Sequence, residues 1–109
     1  MSSRSSCDIS LGAGNDTLVL GDFANTVTVT TIETVTGGTD DDIVTLGDAA
    51  LNMTVDLGAG SDTLNLGNFN NTLTISNVET LVGNSGNDTV TLGSAITSGT
   101  IDLDAGTDK

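Results

Sequence analysis

The stretch LGAGSDTLNLG at residues 57–67 joins two pieces: a glycine-rich loop closing on Asp62, and an alternating run from Thr63 to Leu66 stopped by Gly67. Glycine lets a backbone turn through left-handed conformations, and Thr-Leu-Asn-Leu alternates with the period of a strand. The same pattern stands 46 residues earlier as LGAGNDTLVLG (11–21), and Leu103, Ala105, Gly106 and Asp108 begin it again 46 residues later. Between these anchors the match runs without a gap. Phe23 meets Phe69, Asn25 meets Asn71, Ile32-Glu33-Thr34-Val35 meets Val78-Glu79-Thr80-Leu81, and Val44-Thr45-Leu46-Gly47 meets Val90-Thr91-Leu92-Gly93. A fixed period of this length marks a repeat architecture.

A weaker half-repeat lies inside each unit, because GGTDDDIVTLG (37–47) echoes the same loop and run. The acidic loop therefore recurs five times, ending at Asp16, Asp42, Asp62, Asp88 and Asp108, at intervals of 26, 20, 26 and 20 residues. Each interval reads as one coil of an all-β parallel solenoid with alternating long and short coils. The long coils are expected to add a third strand near 31–36 and 77–82. Residues 1–7 read as a leader or tag remnant and 8–109 as the solenoid, in units of about 8–55 and 56–101 with a partial third from 102. Helical spacing of apolar residues is missing, and Val, Ile and Thr favour strands. Leu18, Leu20, Val27, Val29, Val44, Leu46, Val55, Leu64, Leu66, Leu73, Ile75, Val90, Leu92 and Ile101 are expected to point inward, with both phenylalanines at a corner. A single coil cannot bury such an edge; stacked coils in register can.

Charge narrows the function. Fifteen acids face two bases, Arg4 and Lys109, for a net charge of −13, and there is no histidine. Such a body suits neither nucleic acid nor an anionic membrane surface. No run approaches the length a membrane-spanning helix needs, and the leader lacks the apolar stretch of a signal peptide. One cysteine, Cys7, excludes an internal disulfide framework. No nucleophile has a base near it in sequence, and paired carboxylates occur only in the repeating loops, so the chain reads as non-catalytic.

Stacking in register turns the loops into columns of like charge. Two carboxylates about 5 Å apart repel by roughly 0.8 kcal/mol in water and several times more at a protein-like dielectric. No side chain of the patterned region offsets this, so a counter-ion is expected. Calcium takes six to eight hard oxygens from carboxylates and carbonyls, and glycines let carbonyls converge. Thiol- or imidazole-seeking metals lack ligands.

The segments 57–65 and 11–19, and less closely 83–91, resemble the nonapeptide G-G-x-G-x-D-x-U-x of haemolysin-type calcium-binding (RTX) repeats. The resemblance implies a right-handed β-roll or β-helix, Ca²⁺ as the cofactor, export from a bacterium, and folding triggered by calcium outside the cell. Its aspartate falls on Asp16, Asp42, Asp62, Asp88 and Asp108; its glycines fall on Gly12, Gly14, Gly38, Gly58, Gly60 and Gly86 among others. Leu11, Leu57 and Leu103 stand at the first glycine position and Asp40 at a later one, where Asp40–Asp42 forms either a stronger site or a solvated acidic corner.

Plainer readings compete. Asp, Asn and Gly are ordinary turn residues. Glu33 and Glu79 read as outward or strand-end residues rather than ligands, and Asn25, Asn52 and Asn71 as corner residues that cap turns or form ladders. Threonine rows at 26–30 and 72–76 suggest ice binding, but they are expected only on long coils, which would interrupt a flat array. The leading expectation is a secreted, calcium-binding structural or adhesive spacer cut from a longer array, with end coils that favour end-to-end self-association. The alternatives are an ice-binding solenoid and an accessory module of a polysaccharide-acting enzyme.

Overall fold

The computed structural model describes residues 8–22, 24–93, 99–103 and 106. The chain forms eleven short strands: β1 (Asp8–Ser10), β2 (Thr17–Val19), β3 (Thr26–Thr30), β4 (Thr34–Thr36), β5 (Ile43–Leu46), β6 (Leu51–Asp56), β7 (Thr63–Asn65), β8 (Thr72–Ser76), β9 (Thr80–Val82), β10 (Thr89–Leu92) and β11 (Thr100–Asp102). Odd strands form a six-stranded sheet and even strands a five-stranded sheet, each in chain order, and every pairing is parallel. The chain therefore crosses from one sheet to the other at every loop, and one coil is two strands and two loops. This is the expected parallel β-solenoid.

Coils of two lengths occur as expected, but they are of 20 and 17 residues in place of 26 and 20. They alternate strictly only along the six-stranded sheet, the five-stranded sheet running 17, 20, 20 and 17. In the six-stranded sheet Thr26 lies opposite Ile43, Ile43 opposite Thr63 and Thr63 opposite Thr80, offsets of 17, 20 and 17. Residues 46 apart fall in different sheets: Thr17 is in β2 and Thr63 in β7, Ile43 in β5 and Thr89 in β10. One repeat unit is thus two and a half coils, and the 26-residue interval is one and a half. The supposed third strands of long coils are β4 and β9, ordinary members of the two sheets.

The register also fixes the core. Inward residues alternate along each strand, as the buried pattern of Val27 and Val29, or Leu73 and Ile75, shows. Val35, Val44, Val55, Leu57, Leu64, Leu66 and Leu81 are fully buried. Val35 and Leu81 join the core because β4 and β9 are full rungs, Met53 joins it from within β6, and Ile32, Ala50 and Val78 join it at the corners. Leu18 and Val90 pack only partly, while Leu92 and Ile101, expected inside, are exposed on the last strands of their sheets. Leu57 explains its own departure from a glycine pattern: that position turns inward, so a leucine side chain fills the core. Phe69 lies at a corner over Gly67; Phe23 is outside the described residues.

Threonines stack further than expected. Thr17, Thr34, Thr54, Thr74 and Thr91 form one unbroken outward column across the five-stranded sheet. The neighbouring column is mixed: Val19, Thr36, Asp56 and Ser76.

Candidate metal centre

Loops stack on two flanks. On the near flank, where the chain passes from the five-stranded to the six-stranded sheet, loops 20–25, 37–42, 57–62 and 77–79 follow one another. On the far flank the order is 11–16, 31–33, 47–50, 66–71 and 83–88. The half-integral repeat thus sends equivalent loops to opposite flanks, and motif aspartates meet only in part. Asp42 and Asp62 are neighbours on the near flank. Asp16 and Asp88 lie apart on the far flank, and Asp108 is outside the described residues.

Asn25, Asp42, Asp62 and Glu79 each precede a strand of the six-stranded sheet and fall in one register column. Each acid turns one oxygen back to the preceding coil. Asp42 Oδ1 accepts from the Asn25 backbone N–H at 3.1 Å, Asp62 Oδ1 from that of Asp42 at 2.7 Å, and Glu79 Oε1 from that of Asp62 at 2.8 Å. The far flank repeats the device, with Glu33 Oε1 accepting from Asp16 N–H at 2.7 Å and Asp88 Oδ1 from Asn71 N–H at 3.3 Å.

The second oxygens differ. Asp42 and Asp62 are fully buried, and the Oδ2 atoms of Asp16, Asp42 and Asp62 are buried with no hydrogen-bond partner. A buried carboxylate oxygen left unmatched costs several kcal/mol or stays protonated. Asp62 shows the consequence: burial, followed by the charges of Asp42, Glu79 and Asp41, pushes its pKa up to about 7 against the lowering effect of its bond from the Asp42 N–H. A cation between the loops would counter the repulsion of all three neighbouring charges and offset the cost of burying the carboxylate.

Glycines bring carbonyls to the same place. Gly58 and Gly60 adopt φ of +77° and +119°, and Gly12, Gly14, Gly86 and Gly106 also lie at positive φ. A Cβ on Gly60 would sit 2.7 Å from the Asp40 carbonyl oxygen, and one on Gly58 would strike the Gly38 carbonyl oxygen. A Cβ on Gly37 would fall 2.8 Å from Asp42 Oδ2. Loop 37–42 bends differently, since neither Gly38 nor Asp40 has positive φ. Asp40 itself is exposed and outside the carboxylate column, while Asp41 Oδ1 accepts from Ser61 N–H at 2.7 Å and ties loop 37–42 to loop 57–62.

Among the described residues no three acid, histidine or cysteine side chains converge to hold a metal by themselves. Coordination would combine one or two carboxylates with carbonyls, an all-oxygen set that fits calcium. Sequence reasoning missed Glu33 and Glu79, which are half-buried members of the columns rather than outward residues. The available signal was their spacing: each follows a motif aspartate by 17 residues, the length of the shorter coil. Asn25 and Asn71 are corner residues that cap, as expected, and both are buried.

Residues 9–27, 54–73 and 76–95, more than half of the chain, match the family model of the RTX calcium-binding nonapeptide repeat. No curated protein and no solved structure matches the chain. Members of this repeat family bind calcium, are generally non-catalytic and are typically secreted. Among the described residues there is no helix long and apolar enough to cross a membrane. With its tandem loops stacked in a parallel solenoid, the chain belongs to the RTX calcium-binding nonapeptide repeat family.

Proposed function

We propose that the chain is a non-catalytic spacer of an exported protein whose solenoid is held together by calcium bound between stacked loops. Asp42 and Asp62, with carbonyls of loops 37–42 and 57–62, are the ligands on the near flank. Asp16, Asp88 and Asp108 belong to equivalent sites on the far flank, with Gly12, Gly14, Gly58, Gly60 and Gly86 shaping the loops. The observation that carries this reading is the buried, unpartnered Oδ2 of three motif aspartates in a body with no basic side chain between Arg4 and Lys109. Calcium supplies the charge that no residue of the chain provides. Exported spacers meet millimolar calcium, and RTX proteins are typically secreted, so the reading couples folding to arrival outside the cell. Open strand edges at the outer coils favour end-to-end association.

Circular dichroism with a thermal melt tests the proposal. Calcium should raise both the β signal and the melting temperature, and a chelator should abolish the gain. An identical melt in calcium and chelator refutes it. The unbroken threonine column supports a second reading, an ice-binding face, which predicts reshaped ice crystals at micromolar protein. A single uniform column beside a mixed one argues for the spacer.

A further inference from the structure

Columns of aspartate must end, and the way these columns begin is repeated. Among the described residues the near column opens with Asn25. On the far flank Asp16 and Glu33 are followed by Ala50, whose N–H donates to Asn71 Oδ1 at 2.8 Å, and a new acidic run opens with Asn71, 46 residues after Asn25. Each asparagine gives two donors to a single oxygen of the next aspartate. Asn25 reaches Asp42 Oδ1 through its backbone N–H and its Nδ2, both at 3.1 Å. Asn71 reaches Asp88 Oδ1 through the same two groups at 3.3 and 2.8 Å. Both asparagines are buried, at 2% and 1% exposure.

One coil further on, the contact is different. Asp42 meets Asp62, a second acid, and a single backbone N–H links them at 2.7 Å with no carboxamide donor beside it. A carboxamide is neutral but presents N–H donors to a carboxylate, so it satisfies one carboxylate oxygen without adding a like charge. The far interval between loops 66–71 and 83–88 carries two further amide links: Asn68 Oδ1 accepts from Ser85 N–H at 3.2 Å and Asn70 Oδ1 from Asn87 N–H at 2.8 Å.

We infer, resting on the calcium reading above, that Asn25 and Asn71 determine where each calcium stack ends, their carboxamides standing where an ion stands in the next interval. No ion then binds between loops 20–25 and 37–42 or between loops 66–71 and 83–88. Calcium is confined to intervals in which an aspartate meets another acid. Each 46-residue unit carries one short stack, and successive stacks lie on opposite flanks instead of forming two continuous columns. Asparagine acts here through the neighbouring aspartate, as a positioning residue that sets stoichiometry.

Counting bound calcium in Asn25→Asp and Asn71→Asp tests this, by calorimetric titration and by atomic absorption of protein kept in calcium and then freed of excess. Each variant should bind one more ion per chain than the wild type, and the double variant two more. Each should melt lower than the wild type in chelator and recover in calcium. Asn71→Ala should melt lower in both conditions with an unchanged ion count. Wild-type stoichiometry in both Asp variants overturns the inference while leaving the calcium reading intact, as does an Asp variant that fails to fold even in calcium. A wild type that binds no calcium overturns both.

Discussion

Asp62 stands between two other acids in its column, Asp42 on one side and Glu79 on the other. Asp62→Asn removes the middle charge and keeps the shape, and its carbonyl oxygen can still accept from the Asp42 N–H. At a strand spacing of about 4.8 Å, two unit charges repel by roughly 0.9 kcal/mol in water and roughly 3.5 kcal/mol at an effective dielectric of about 20. With two neighbours at a corner open on one side, relief near the low end, about 2 kcal/mol, is expected in the absence of calcium. For a chain of this size that is roughly 8–16 °C in melting temperature. The pKa of Asp62 gives the pH dependence its sign. Because the folded value is raised from 3.8 to about 7, the folded state holds this proton more tightly than the unfolded one. Stability from that proton is fully present below about pH 4 and is lost as pH rises through about 7. The variant's advantage in chelator should therefore be complete at about pH 8 and nearly gone at about pH 4. In calcium the order should reverse, since the variant loses a ligand. Differential scanning calorimetry at both pH values, with chelator and with calcium, reads all of this. A variant that melts below the wild type in chelator at about pH 8, or an advantage of equal size at about pH 4, refutes the charge argument.

Calcium affinity should fall as pH drops below about 7, because Asp62 must release its proton to bind; titration calorimetry in two buffers of different ionisation heat should show proton release near neutrality and little at about pH 9. Gly60→Ala should cost about 2–3 kcal/mol in urea unfolding, from a backbone at φ +119° and a Cβ meeting the Asp40 carbonyl oxygen at 2.7 Å. Gly14→Ala, at φ +108° with nothing within 4 Å of the new carbon, should cost only the backbone strain, about 1 kcal/mol. Leu57→Ala should lose about 2–5 kcal/mol through a core cavity, and Leu57→Gly, which restores the family's residue, should be no better.

Much of the fold was legible because its signals are local. Strict alternation at 26–30 and 72–76 marks β3 and β8, and each glycine–aspartate loop marks a crossing between sheets. Coil length was not legible, because a repeat locates equivalent sequence and not equivalent space. Nothing in Thr17 and Thr63 says that they stand in opposite sheets. The hidden crossings are loops 31–33 and 77–79, whose first residues Thr31 and Asn77 take positive φ without glycine. Having neither glycine nor a motif aspartate, they read as strand rather than corner. With those crossings unseen, Val35 and Leu81 went unassigned to the core, and Glu33 and Glu79 unassigned to the columns.

A strip of two metals curls when one face shortens more than the other. Ions drawing adjacent rungs together along only one edge would bend a rod in the same way, and further units would deepen the arc. Because each unit advances by a half turn beyond two whole ones, tightening on one edge is answered by tightening on the other. Ion uptake then shortens and stiffens such a rod while leaving its axis straight.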